Sequence, residues 1–184
     1  MPKGWEVTKL GSVIELAYGK ALKECDRIPG DVPVFGSKGI TGWHNKPLNT
    51  GPGVIVGRKG NAGAVTWSHT AFFAIDTTFY VRPLIRVPMT YLFHELLLRQ
   101  DLENISGDSA VPGLNRDAAY RNECLVPPSL MLEAFSALVA KWFTQIHHNL
   151  EESRALAAMR DTLLPKLLSG EVRVKDVAEF ACSG

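Results

Sequence analysis

Val126-Pro127-Pro128-Ser129-Leu130-Met131-Leu132-Glu133-Ala134-Phe135 is the stretch on which the fold turns. Before it the chain is cut repeatedly by Gly, Pro, Asn and Asp, whereas after it neither Gly nor Pro occurs until Pro165. Two prolines in a row cannot donate to a helix or to a sheet ladder, so they mark a boundary, and Ser129 is placed to cap a helix that begins there. Leu132, Phe135, Val139, Trp142, Ile146, Asn149, Ser153, Leu156, Arg160, Leu163 and Leu167 then recur at alternating spacings of three and four. That is a heptad seam, polar only at Asn149, Ser153 and Arg160, and Gly170 ends it.

Size gives this helix a meaning. Roughly 38 residues at ~1.5 Å each span ~57 Å, while a domain of ~128 residues is only about 36 Å across. The helix must overhang its own domain or break. If it overhangs, its apolar stripe needs a partner helix, and a buried Asn or Arg would set the register. If it breaks, the natural place is Asn149–Ser153, with the chain folding back as a helical hairpin. The organisation expected is a globular domain over 1–128, a long dimerisation or spacer helix over 129–170 and a tail over 171–184.

Upstream, Val32-Pro33-Val34-Phe35-Gly36, Gly53-Val54-Ile55-Val56-Gly57, Ala64-Val65-Thr66-Trp67 and Phe79-Tyr80-Val81 are β-rich runs bounded by turn residues. Thr90 has the look of an N-cap for an amphipathic helix through about Arg99, offering Tyr91, Leu92, Leu96 and Leu97 for packing. Strands and helices do not alternate regularly, so the fold class is α+β: a mixed globular domain followed by one long C-terminal helix that pairs as an antiparallel coiled coil.

Composition narrows the function. A hydrophobic fraction of 46% with 21% charged residues is that of an ordinary globular chain. No apolar run approaches the ~18 residues of a membrane span, and the polar, broken start is unlike a signal segment. The expectation is a cytoplasmic protein with no membrane association. Cys25, Cys124 and Cys182 are scattered and form no CxxC, which fits a reducing compartment rather than a disulfide framework or zinc cluster. There is no HExxH, and adjacent His147 and His148 point about 100° apart on a helix, a poor ligand pair. The expectation is no metal. GxSxG, the dinucleotide glycine pattern, the phosphate loop GxxxxGK[ST], a DPPY-like methyltransferase segment and helicase or nuclease motifs are all missing, so a non-catalytic chain is expected. Net charge is only +1, but between Lys20 and Thr66 seven basic residues (Lys20, Lys23, Arg27, Lys38, Lys46, Arg58, Lys59) outnumber three acidic ones. That excess either faces phosphates or forms a solvated surface.

Several segments together resemble the specificity subunits of type I restriction–modification enzymes. They are Gly4-Trp5-Glu6-Val7-Thr8-Lys9-Leu10-Gly11-Ser12-Val13, Pro33 to Gly42, Val54-Ile55-Val56-Gly57-Arg58-Lys59-Gly60-Asn61-Ala62-Gly63 and Asp76-Thr77-Thr78-Phe79-Tyr80-Val81. Gly107 to Arg116, Val126-Pro127-Pro128 and Leu163-Leu164-Pro165-Lys166-Leu167-Leu168-Ser169-Gly170-Glu171-Val172 complete the series in the same order. The resemblance implies one target-recognition domain for double-stranded DNA and a helix that also docks the modification subunit, through exposed positions between Ala134 and Arg160. It implies a restriction/translocase subunit as a further partner, with S-adenosylmethionine, ATP and Mg on the partner subunits and no cofactor in this chain. Full subunits of the family resemble two tandem copies of domain plus helix, and this chain holds one. A homodimer reading an interrupted palindrome follows from that reading. The alternatives are a truncated or decoy subunit that binds partners without reading DNA, and an unrelated small enzyme with a coiled-coil tail.

Three loops are the candidate DNA-reading surface. In Gly57-Arg58-Lys59-Gly60-Asn61-Ala62-Gly63 the glycines permit a tight turn and close approach, and Arg58, Lys59 and Asn61 supply donors; a hairpin turn with solvated charges is the plainer reading. Lys38, Trp43, His44 and Asn45 lie in a second Gly-punctuated loop, with Trp43 more at home as a packing anchor than as a stacking platform. Ser109, Asn115 and Arg116 make a third, where Asn115 is also well placed for local capping. Lys20 adds charge near them.

Overall fold

The computed structural model describes residues 3–99, 102 and 113–173. Two compact units are present, Met1–Ala140 and Lys141–Gly184. The first is built around a four-stranded antiparallel sheet in the order β2 (Ile14–Tyr18), β8 (Thr78–Pro83), β5 (Gly53–Gly57), β6 (Val65–Ser68). β5 is buried at every residue, which is why its run is apolar throughout rather than alternating. Successive side chains on a strand point to opposite faces, and the core divides accordingly. Leu16, Val54, Val56, Phe79 and Val81 face one apolar cluster, while Ala17, Ile55 and Tyr80 face another.

On the first face lie Leu92 and Leu96 of helix α2 (Met89–Leu97), Ala119 of α3 (Arg116–Arg121), and Leu10 and Val13 of the single turn α1 (Leu10–Val13). On the second lies a three-stranded sheet, β4 (Gly39–His44), β3 (Val32–Gly36), β7 (Phe73–Ala74), in which β3 and β7 run parallel. It contributes Phe35 and Ala74, with Phe72 beside them. A separate antiparallel pair joins β1 (Glu6–Lys9) to β9 (Glu123–Val126), Glu6 opposite Val126.

The long helix α4 runs unbroken over Ser129–Leu168, with Pro165 inside it and Gly170 at φ 76° beyond. The helical-hairpin reading is thereby set aside: no break occurs near Asn149–Ser153. At ~1.5 Å per residue the helix measures ~60 Å.

Four local expectations are corrected. Thr90 does not cap α2; Pro88 holds the cap position and Thr90 lies in the first turn, its hydroxyl 3.4 Å from that of Ser136. Leu97 is not a packing residue but half exposed. Ser129 is the first helical residue rather than the cap, because the amides of Met131 and Leu132 donate to the Pro128 carbonyl. Leu132 is not available to a partner: at 4% exposure it belongs to the core of its own unit. Phe135 is half-buried with its ring edge-on to Tyr91 and His94. The free stripe therefore starts at Val139 and Trp142.

Candidate nucleic-acid interface

Antiparallel pairing brings the last residues of β2 and β5 to the first of β8, with Tyr18 opposite Phe79 and Gly57 opposite Thr78. The loop after β5 is folded by its own backbone: Gly57 donates to Ala64 at 2.7 Å and Gly63 to Gly57 at 2.9 Å. Any side chain at Gly57 would overlap the Asn61 carbonyl, and Gly60 sits at φ 80°, a conformation that suits glycine. The amides of Arg58 and Lys59 both donate to Thr77. The Arg58 carbonyl accepts from Leu114, and Lys59 bridges to Gly113. Two loops distant in sequence are thus joined into one surface.

Arg58 and Arg116 meet on it. The Arg58 guanidinium donates through Nε and Nη2 to the Asp76 carbonyl at 2.9 and 2.6 Å, and its carbon lies 5.4 Å from the centre of the Tyr18 ring. The Arg116 guanidinium lies 5.0 Å from the same centre and 5.8 Å from that of Tyr120. Tyr18 is itself held edge-on against Phe79 at 5.0 Å, and the Tyr120 hydroxyl accepts from the Leu16 amide at 2.8 Å. Among the described residues neither guanidinium forms an ion pair, and Arg116 Nε is buried without a hydrogen-bond partner. Two positive charges on one aromatic ring, neither ion-paired among the described residues, form a surface complementary to an anion.

The expected residues separate into two groups. Lys59 and Asn61 are exposed on the loop of Arg58. Lys38 lies in the turn between β3 and β4, and its neighbour Ser37 stands against Gly57 and Gly60. Lys20 is exposed just after β2, its amide bonded to Ala74. Asn115 sits beside Arg116 but caps α3, its Oδ1 accepting from Ala118 at 3.0 Å. Trp43, His44 and Asn45 occupy the other end of β4, ~20 Å from Lys38 by strand rise. His44 needs correction as a contact residue. It is 8% exposed, its Nδ1 accepts from the Ile28 amide at 3.0 Å, and its ring packs edge-on to Phe73. Trp43 pairs across from Pro33 and Asn45 is exposed. Ser109 lies outside the described residues. Sequence reasoning missed Tyr18, Tyr120 and Asp76, because what joins them to Arg58 and Arg116 is strand register.

No cluster among the described residues could hold a metal ion. Cys124 is not poised as a nucleophile: burial foremost, then the charge of Glu95, pushes its thiol up to about 11. Along α4, Trp142, Ile146, Asn149, Ser153, Leu156, Arg160, Leu163 and Leu167 are exposed and Val139 is half-buried. No described helix is long and apolar enough to cross a membrane.

A mixed α+β domain with a loop-built basic surface is thus followed by a long helix bearing an apolar stripe. Residues 2–118 match the type I restriction modification DNA specificity domain, and the chain belongs to that family. It is 31% identical over 87 residues to the type I restriction enzyme MjaIX specificity subunit of Methanocaldococcus jannaschii, a match covering 47% of this chain and 20% of that protein. The fold is shared with the type I restriction-modification S subunit from M. genitalium, at TM-score 0.74 and 16% identity over 90% of this chain. The HsdS subunit from Thermoanaerobacter tengcongensis matches at TM-score 0.54 and 20% identity over 94% of this chain. The chain spans about half the length of these two solved relatives, 46% of each.

Proposed function

We propose that this chain reads one half-site of double-stranded DNA as a non-catalytic specificity subunit, and that two copies joined through α4 read an interrupted palindrome. The observation that supports this best is the pair of guanidiniums of Arg58 and Arg116 on the Tyr18 ring, neither of them in an ion pair among the described residues. Arginine is the side chain best suited to bidentate contacts with phosphate or with guanine O6 and N7. Lys59, Asn61, Lys38 and Lys20 border the same surface. In this reading α4 also docks the modification subunit, the restriction/translocase subunit joins the assembly, and methyl transfer and cleavage take place there with S-adenosylmethionine, ATP and Mg.

The test is to co-express the chain with its modification subunit and map adenine methylation by single-molecule sequencing. New methylation at one interrupted palindrome is expected. An assembled complex that methylates no new motif would replace this reading with that of a partner-binding decoy.

A further inference from the structure

Arg58 and Arg116 differ from the polar side chains around them in being held back. Lys59 and Asn61 flank Gly60 at the tip of the loop after β5 and are exposed, whereas both arginines are half-buried. The Arg58 guanidinium commits Nε and one Nη2 proton to a single main-chain carbonyl, that of Asp76. The Nε–Nη2 edge of its fork is therefore closed, and the Nη1–Nη2 edge is left for a ligand. Arg116 has its Nε buried, so it too can offer only its amino nitrogens. We propose that these two guanidiniums, braced on Tyr18, grip the phosphate backbone of the duplex and read no base, a proposal that rests on the DNA reading put forward above.

Depth and width carry the argument. Base edges lie on the floor of a major groove ~12 Å wide and ~8.5 Å deep, which admits a helix or a two-stranded ribbon. The arginines sit where three neighbouring strands come together: Tyr18 ends β2, Thr78 opens β8 and Gly57 ends β5. At ~4.8 Å between neighbours, the outer strands are ~10 Å apart before the backbone's own width is added. An end of that breadth rests on the rims of the groove and does not enter it. A guanidinium within hydrogen-bond distance of its own main chain meets only what comes up to that surface, and the rims are phosphate.

Charge points the same way. Each guanidinium carbon lies within 5.4 Å of the centre of one ring, and neither is ion-paired among the described residues. An anion between or beside two such cations offsets their mutual repulsion, whereas the neutral acceptors of guanine leave it in place. Two non-bridging phosphate oxygens also match the two donors of a guanidinium edge. The seat is held in place too, because Tyr18 is packed edge-on against Phe79. Phosphates recur at every step whatever the sequence, so a seat that does not adapt suits them, and such contacts fix position without selecting bases.

The test uses the chain assembled with its modification subunit and a duplex carrying the motif found by methylation mapping. Replacing one backbone phosphate at a time by a neutral methylphosphonate should reveal a position where the parent loses about tenfold in affinity while Arg58→Ala and Arg116→Ala lose little further. Replacing guanines by 7-deazaguanine, which lacks the N7 acceptor, should cost the variants as much as it costs the parent. Each variant should bind target and unrelated duplexes more weakly by one common factor. The slope of log affinity against log salt should fall by ~1 in each, with the methylated motif unchanged. A loss confined to the target duplex, or one that cancels the effect of a 7-deazaguanine instead of a methylphosphonate, makes that arginine a base reader. That result overturns the proposal and leaves the DNA reading intact, as does unchanged affinity in both variants. A parent complex that assembles and binds no duplex overturns both.

Discussion

Tyr18 holds two arginines far apart in sequence, Arg58 from the loop after β5 and Arg116 from the start of α3, and its contribution is to restrict where their charges point. A guanidinium stacked on a ring loses less freedom on binding than one moving in solvent. Arg58→Ala should weaken duplex binding by ~1–3 kcal/mol if the side chain makes a bidentate contact. Tyr18→Leu should weaken it by a smaller amount, and Tyr18→Phe, which keeps the ring, should bind as the parent does. Fluorescence anisotropy with a duplex carrying the methylated motif separates these. Equal losses for Tyr18→Phe and Tyr18→Leu would assign the effect to the hydroxyl instead.

Cys124 gives a second residue-scale test, through pH. Its thiol is raised from 9.0 to about 11, chiefly by burial, and the Tyr91 hydroxyl from 10.0 to about 12 for the same first reason. Below pH 9 the thiol is protonated folded or unfolded, and this contribution to stability is fully present. Above it the unfolded thiol ionises first, so the unfolded state binds fewer protons and stability falls toward pH 11, with Tyr91 adding a loss of the same sign between 10 and 12. Denaturation midpoints from pH 8 to 11 should decline, and Cys124→Ala should flatten the early part of that decline. An unchanged slope in the variant would show that the thiol does not contribute.

Among elements, the ease of reading from sequence follows from how local the signal is. α4 could be read almost to its ends because a seam repeating at three and four is a property of one helix. β3 and β5 could be read as dense apolar runs between glycines. β2, β9 and α1 could not, since Ile14-Glu15-Leu16-Ala17-Tyr18 has no distinctive alternation and becomes a strand by pairing with β8. The same holds for the recognition loops. Their glycines announced a tight turn, but His44, set in a similar context, is withdrawn by a bond to Ile28 that no local pattern encodes. On α4 itself, Trp142→Glu/Ile146→Glu should turn a dimer joined through this helix into a monomer in sedimentation, because two charges would enter its exposed apolar stripe. A variant that remains dimeric would place the interface elsewhere.

At the scale of the whole molecule, the proposed function makes symmetry the link between protein and DNA. Under the proposed self-pairing, two identical readers related by a two-fold axis demand identical half-sites in inverted order, so the methylated motif should be a palindrome interrupted by a spacer of constant length. An asymmetric bipartite motif would instead require a second, different recognition domain in the assembly. Fold class and family were open to reading because seven motifs spread along the chain keep their order. The bases read were not, since they depend on how side chains such as Lys59 and Asn61 meet a particular duplex.

The pairing of β1 with β9 has a consequence of another kind. With Glu6 opposite Val126, the chain comes in and goes out of the domain at neighbouring points, ~4.8 Å apart across the ladder. The segment between those strands leaves and returns at one place, and it also meets the start of α4 through α2, where Tyr91 and His94 pack against Phe135. Loops of that segment remote from α2 can lengthen, shorten or change composition without moving the start of α4. The loop surface can thus vary while the helix that follows it stays the same.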